Sequence, residues 1–251
     1  MIDSNVCTKI VRTAGVTADD IALEIGPGLG SLTLAMLDAA KSVIAVEIDP
    51  RLAEQLPLTV AEHFEHPENL TVINKDALAV HDLPVAPTVL VANLPYNVSV
   101  PVLLHLLEKF PTIRTGVVMV QAEVADRLAA KPGGKEYGIP SVKAAWWADV
   151  KNVGTVSRSI FWPAPNVDSA LVYFAKREVA LGSETERLAT FEAIDAGFAQ
   201  RRKTLRQALA EWAGSAARAE EILIAAKVSP QARAEELTVH DFLRIAQAKN
   251  V

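Results

Sequence analysis

A single cysteine, Cys7, is all the chain offers, which excludes an internal disulfide framework and a cysteine-built zinc cage and points to a reducing compartment. Cys7 is expected as a small buried apolar residue. No stretch reaches the roughly 18 uninterrupted apolar residues of a membrane span, and the N-terminus lacks the basic-then-apolar layout of a secretory signal. A soluble, cytoplasmic protein with no membrane partner is expected. None of the five histidines forms a ligand pair at metal spacing, so no metal is expected. There is no internal repeat and no low-complexity tract. Basic excess is missing too: the net charge is -5, which argues against a polyanion partner on bulk electrostatics but leaves a local basic patch open.

What is there suffices for a proper core. Half of the 251 residues are apolar and 22% charged, the balance of a globular chain with one large domain and room for a small appendage. Short β-branched runs at Ile21–Ile25, Val43–Ile48, Leu70–Asn74, Thr88–Ala92 and Thr115–Val120 predict five strands. Helical patterns at Ser31–Ala40, Arg51–Phe64 and Val100–Lys109 alternate with them, and Ala122–Ala130 follows the fifth, the signature of a mostly parallel α/β sheet flanked by helices. Val150–Val156 and Ala170–Ala175 have no long helix between them and are expected to pair antiparallel at the sheet edge. After Lys176 a polar break at Gly182-Ser183-Glu184 leads into Ala, Leu, Glu and Arg at helical spacing. We therefore expect an α/β domain over residues 1–180 and a small all-α domain of about four short helices over 181–251.

Glu24-Ile-Gly26-Pro-Gly28-Leu-Gly30 joins the first strand to the first helix of that alternation, where glycines allow a tight turn and close approach of a ligand to the backbone. Alone, such a turn is common. The second strand ends in Glu47-Ile48-Asp49, about the interval at which an open α/β fold places an acid on a ribose hydroxyl pair. Asp49 suits an N-cap ahead of Pro50, which makes Glu47 the better ribose ligand. Asp76, after the third strand, can accept from an exocyclic adenine amine or cap a turn. Three loops at the carboxyl ends of adjacent strands thus specify an adenosine site, in either a nicotinamide or an S-adenosylmethionine enzyme.

The fourth strand decides between them. It runs into Asn93-Leu94-Pro95-Tyr96, in which an amide side chain and a carbonyl before proline can accept both hydrogens of an exocyclic amine while the tyrosine ring offers a stacking face. With the glycine loop, this tetrapeptide resembles the adenine N6 methyltransferases. Phe161-Trp-Pro-Ala-Pro-Asn-Val-Asp-Ser169, Lys131-Pro-Gly-Gly-Lys135-Glu-Tyr-Gly138 and Phe198-Ala-Gln-Arg-Arg-Lys-Thr-Leu-Arg206 are similar to one branch, the ribosomal RNA adenine N6,N6-dimethyltransferases of the small subunit. The likeness runs from about Asp3 through the helical C-terminus.

That resemblance implies a Rossmann-like S-adenosylmethionine-dependent methyltransferase with S-adenosylhomocysteine as its product. It places Gly26, Gly28 and Gly30 along the cofactor, Glu47 with Ile48 on the ribose, Asp76 with Ala77 on the adenine, and Asn93 between cofactor and target. Leu94 and Pro95 shape the turn; Tyr96 and Phe161 sandwich the flipped target base. Read as a lone residue, Phe161 would be a core aromatic; Trp146-Trp147 are expected to pack in the core. The implied partner is the small ribosomal subunit or its precursor, through 16S rRNA, and the implied state a monomer. An unpaired or flipped adenine is required, since a stacked base cannot reach such a pocket. Arg201, Arg202, Lys203 and Arg206 cluster four charges in six residues of an acidic chain and are expected to meet phosphates, with Lys131, Lys135 and Arg127 adding contacts.

Relatives of this kind carry a basic segment and Gly-Gln-Asn-Phe-Leu just before the position of Asp3, whereas here the sequence begins Met1-Ile-Asp3. Weakened cofactor binding is expected from that difference, and no cofactor contact is expected of Met1. Two rivals remain: a large-subunit rRNA methyltransferase of the macrolide-resistance type, and an assembly factor whose methyl transfer is dispensable.

Overall fold

The computed structural model describes residues 4–161 and 165–249. Met1 and Asp3, and Trp162, Pro163 and Ala164 of the Phe161–Ser169 motif, lie outside the described residues. The chain divides into two compact units, Met1–Ala125 with Val150–Lys176, and Asp126–Asp149 with Arg177–Val251.

The first unit is built on a seven-stranded sheet. Strands β1 (Ile21–Ile25), β2 (Ser42–Glu47), β3 (Leu70–Asn74), β4 (Val89–Asn93), β5 (Thr115–Gln121), β6 (Ala148–Val156) and β7 (Ser169–Lys176) lie in the order β3-β2-β1-β4-β5-β7-β6. The pairs among β1 to β5 are parallel, and β7 joins β5 antiparallel. Each of the first five strands falls within one residue of its predicted bounds. The all-apolar run Val89–Ala92 is buried throughout, as a strand covered on both faces must be. Strand order reverses between β1 and β4, so the loops after those two strands open side by side at the carboxyl edge, where open α/β sheets bind ligands.

Helices α2 (Ser31–Leu37), α3 (Pro50–His63), α4 (Ser99–Lys109) and α5 (Ala122–Ala129) follow the sequence pattern closely, α2 ending three residues early. One helix was not predicted: α1, Ser4–Thr13. Its Cys7, Ile10 and Val11, with Ala14 just beyond it, recur at helical spacing and are buried, so the helix is held by an apolar stripe despite a propensity-poor Asn, Thr and Val content. Cys7 is a buried free thiol, as expected.

The second unit corrects the predicted boundary. Residues Asp126–Asp149, which include a further unpredicted helix α6 (Ile139–Trp147), group with the C-terminal helices rather than with residues 1–180. The reason is apolar: Tyr137, Val142 and Trp146 belong to one buried cluster with Ile194, Leu205, Ile222 and Phe242. Trp146 is a core residue and Trp147 packs against that cluster, as expected of the pair. The C-terminal helices are α7 (Glu184–Ala199), α10 (Ala216–Ala225) and α11 (Val239–Lys249), with single turns α8 (Leu205–Ala208) and α9 (Ala210–Ala213) between them. Ser183 and Glu186 form a capping box at the start of α7, two backbone donors satisfied reciprocally at the polar break seen in the sequence. No helix among the described residues is long and apolar enough to cross a membrane.

Candidate functional site

The loop after β1 turns on glycines held in left-handed backbone: φ is +68° at Gly26, +57° at Gly28 and +92° at Gly30. Gly30 is the N-cap of α2. Below it, the fully buried Glu24 carboxylate accepts a 2.6 Å bond from the Thr33 hydroxyl. Burial, opposed by that bond and reinforced by the nearby Glu47 charge, pushes the Glu24 carboxyl up to about 8.

Glu47 closes the loop from the neighbouring strand. Its Oε2 accepts from the Gly28 amide at 3.2 Å and its Oε1 from the Asp49 amide at 3.0 Å. The side chain is therefore oriented before any ligand arrives. Asn74 supports it from β3, donating to the Glu47 carbonyl at 2.8 Å and the Ile48 carbonyl at 3.2 Å. Asp49 does act as the N-cap of α3. Its carboxyl is held down to about 2, first by the Arg51 side-chain hydrogen bond.

These groups wall a cavity of about 290 Å³ lined by Gly26, Glu47, Ile48, Asp76, Ala77 and Pro95, among others. Ile48 is 66% exposed and Leu78 38% exposed at its rim, large apolar side chains left open beside a carboxylate, as suits the face of a purine. Asp76, one of the lining residues, uses Oδ1 to accept from the Leu78 amide at 2.9 Å, so the capping role is real.

Beside it, Gly26, Asn93, Leu94, Pro95, Tyr96, Phe161 and Pro165 line a second cavity of about 350 Å³. An ideal Cβ on Gly26 would stand 3.8 Å from the Asn93 carbonyl oxygen, a measure of how closely the two loops approach. The Leu94 amide donates to the Met119 carbonyl at 3.0 Å, which fixes the turn against β5. The half-buried Asn93 carboxamide makes no hydrogen bond among the described residues. Tyr96 is held at its far end, its hydroxyl 2.7 Å from Ser169 Oγ. Ser169 is a site residue the sequence reading passed over, although it closes the motif that begins at Phe161. Phe161 is half-buried; it packs partly against the sheet core and also lines this second cavity.

The basic residues divide by partner. Arg201 Nε donates to Glu235 at 3.0 Å, and Arg206 Nε to Glu220 at 2.7 Å. Lys131 pairs with Asp149 at 3.2 Å. Arg202 and Lys203 are exposed and carry no ion pair among the described residues; Lys135 is 94% exposed, with Glu136 at 3.9 Å. Arg127 is exposed, and its carbonyl accepts from the Ser141 hydroxyl. Among the described residues no three metal-ligating side chains converge.

Comparison with known proteins accords with this geometry. Residues 1–250 match the family described as ribosomal RNA adenine dimethylase. Ribosomal RNA small subunit methyltransferase A of Streptomyces avermitilis is 59% identical over 249 residues, covering 98% of this chain and 84% of the relative. The protein of the same name from Leifsonia xyli is 59% identical over 247 residues, covering 98% and 88%. Among solved structures, a dimethyladenosine transferase from Plasmodium falciparum superposes with a TM-score of 0.82 at 26% identity, over 98% of this chain and 95% of that one. The 23S rRNA methyltransferase ErmE superposes at 0.72 with 27% identity, over 99% and 98%. By sequence match and by fold, the chain belongs to the ribosomal RNA adenine dimethylase family.

Proposed function

We propose that this chain transfers methyl groups from S-adenosylmethionine to N6 of adjacent adenosines near the 3′ end of 16S rRNA, giving N6,N6-dimethyladenosine on the small subunit or its precursor. The unpartnered Asn93 carboxamide in the cavity beside the Glu47 pocket carries the reading. The small-subunit relatives, at 59% identity, favour that substrate over a large-subunit one, although the ErmE fold is similar.

The residues fit the cofactor. Glu47 would hold the ribose hydroxyls, Asp76 Oδ2 the adenine amine, and the amides of the Gly26–Gly30 turn the remaining chain. Bound there, S-adenosylmethionine supplies a sulfonium methyl whose C–S bond breaks as the N–C bond forms, leaving neutral S-adenosylhomocysteine. The Asn93 carboxamide oxygen and the Leu94 carbonyl accept the two hydrogens of the target amine. Its lone pair, otherwise delocalised into the ring, is thereby directed at the methyl carbon. Tyr96 and Phe161 replace the stacking that the base loses on leaving its helix. Positioning and electrostatics do the catalysis, and the surplus proton passes to solvent, so no strong base is needed. The helical unit and its basic run would select the ribosomal substrate; a cytoplasmic monomer is the expected form.

The test is transfer of labelled methyl from S-adenosylmethionine to small subunits taken from a strain lacking the modification, mapped by RNA digestion and mass spectrometry. Dimethyladenosine in 16S rRNA is the expected product. Label confined to large-subunit rRNA, with macrolide resistance in a sensitive host, would move the assignment to the other branch; cofactor binding without transfer to either subunit would leave an assembly factor.

A further inference from the structure

The run Arg201–Arg206 looks uniform in sequence, but its members sit in different surroundings. Arg201 spends its fork on protein: beyond Glu235, Nη2 donates to the Lys135 carbonyl at 2.5 Å and to the Tyr137 carbonyl at 3.5 Å. The segment it grips, Lys131–Gly138, holds three glycines, one of them Gly133 at φ +81°. Such a segment loses much conformational entropy when ordered. Two further ties reach it from the same place, the Gly133 amide to the Glu235 carbonyl at 2.7 Å and the Tyr137 hydroxyl to the Leu237 carbonyl at 2.7 Å. Next in sequence to Arg201 stand Arg202 and Lys203, exposed and without ion pairs among the described residues.

We propose that Arg201 is a positioning residue and not a phosphate ligand: it braces the Lys131–Tyr137 loop beside the Arg202–Lys203 turn, so that Lys135, Arg202 and Lys203 form one surface for the RNA backbone. This rests on the reading that the basic run meets rRNA. A planar fork is needed for the brace, because one side chain must reach a carboxylate and two carbonyls at once; a point charge suffices for a phosphate.

The experiment measures binding of the full chain to small subunits lacking the modification, across a range of salt concentrations. Arg202→Ala, Lys203→Ala and Lys135→Ala should each weaken binding and lower the slope of log K against log salt by about 0.7. Arg201→Lys, which keeps the charge, should bind as poorly as Arg201→Ala, and Lys135→Ala should add nothing in either background. Glu235→Gln, which leaves Arg201 intact, should weaken binding in the same direction and speed hydrogen exchange at the Gly133 amide. Binding by Arg201→Lys at the parent level, with Arg201→Ala and Lys135→Ala additive, would overturn the brace while leaving the RNA surface standing. If Arg202→Ala and Lys203→Ala leave the salt slope unchanged, the run does not meet RNA and both ideas fall.

Discussion

Gly30→Ala tests the cofactor loop most directly, because its two penalties can be separated. The backbone there has φ +92°, a left-handed conformation that costs an L-residue about 1–2 kcal/mol. A Cβ would also stand 2.7 Å from Leu56 Cδ1, and Leu56 is fully buried, so the collision adds about 1–3 kcal/mol of overpacking. Gly28 supplies the control: its φ is +57° but nothing lies within 4 Å of its Cβ position, so Gly28→Ala carries the backbone penalty alone. At about 2–4 °C per kcal/mol for a unit of this size, Gly30→Ala should melt about 2–12 °C below Gly28→Ala in a calorimetric scan. In a Leu56→Ala background that gap should close, since the colliding methyl is gone. Equal melting of the two glycine variants, or a gap that survives Leu56→Ala, would refute the argument that close packing fixes Gly30.

Asn93→Ala should lower kcat by about 100- to 1000-fold, the usual effect of removing one oriented polar group at a reacting centre, while calorimetric affinity for S-adenosylmethionine changes little; loss of that affinity would move Asn93 to a binding role. Tyr96→Phe removes only the bond to Ser169 and should cost about 0.5–1.5 kcal/mol of stability, with Ser169→Ala matching it. Tyr96→Ala should weaken RNA-dependent steps by a further 1–3 kcal/mol or so through lost stacking. Glu24 gives a pH signature. Its folded value near 8 lies above the ordinary 4.5, so its contribution is full below about 4.5 and is lost as pH rises through 8. Chemical denaturation should therefore show Glu24→Gln gaining on the parent chain between those values, and a parallel pair of stability curves would contradict the assignment.

Much of this was legible in sequence because it is local. The five parallel strands announce themselves as β-branched runs, and the glycine loop, Glu47 and Asn93–Tyr96 each sit at a strand end where chemistry can be read from residue type. What stayed hidden depends on distant partners. Nothing near Arg201 foretells Glu235, and the charge run therefore read as four equal cations. The domain boundary failed for the same reason: Val142 and Trp146 look like any apolar helix until Ile194 and Phe242 supply the other half of their core. Helix α1 was missed for a different cause, its Asn, Thr and Val content masking the spacing of Cys7, Ile10 and Val11.

The discontinuous second unit also sets a timetable for synthesis. The Tyr137 hydroxyl finds its acceptor at Leu237, exactly one hundred positions later in the chain, and Phe242 of the same core follows still further on. At about 5–20 residues per second, the Val142–Trp146 face leaves the exit tunnel about 2.5–10 seconds before Ile194 of α7 and about 5–20 seconds before Phe242 of α11. The sheet unit, by contrast, has all its strands once Lys176 is out. Newly made chains thus pass through an interval in which the sheet unit has all its strands while the apolar face of α6, in the second unit, still waits for its later partners, the natural moment for a chaperone to engage.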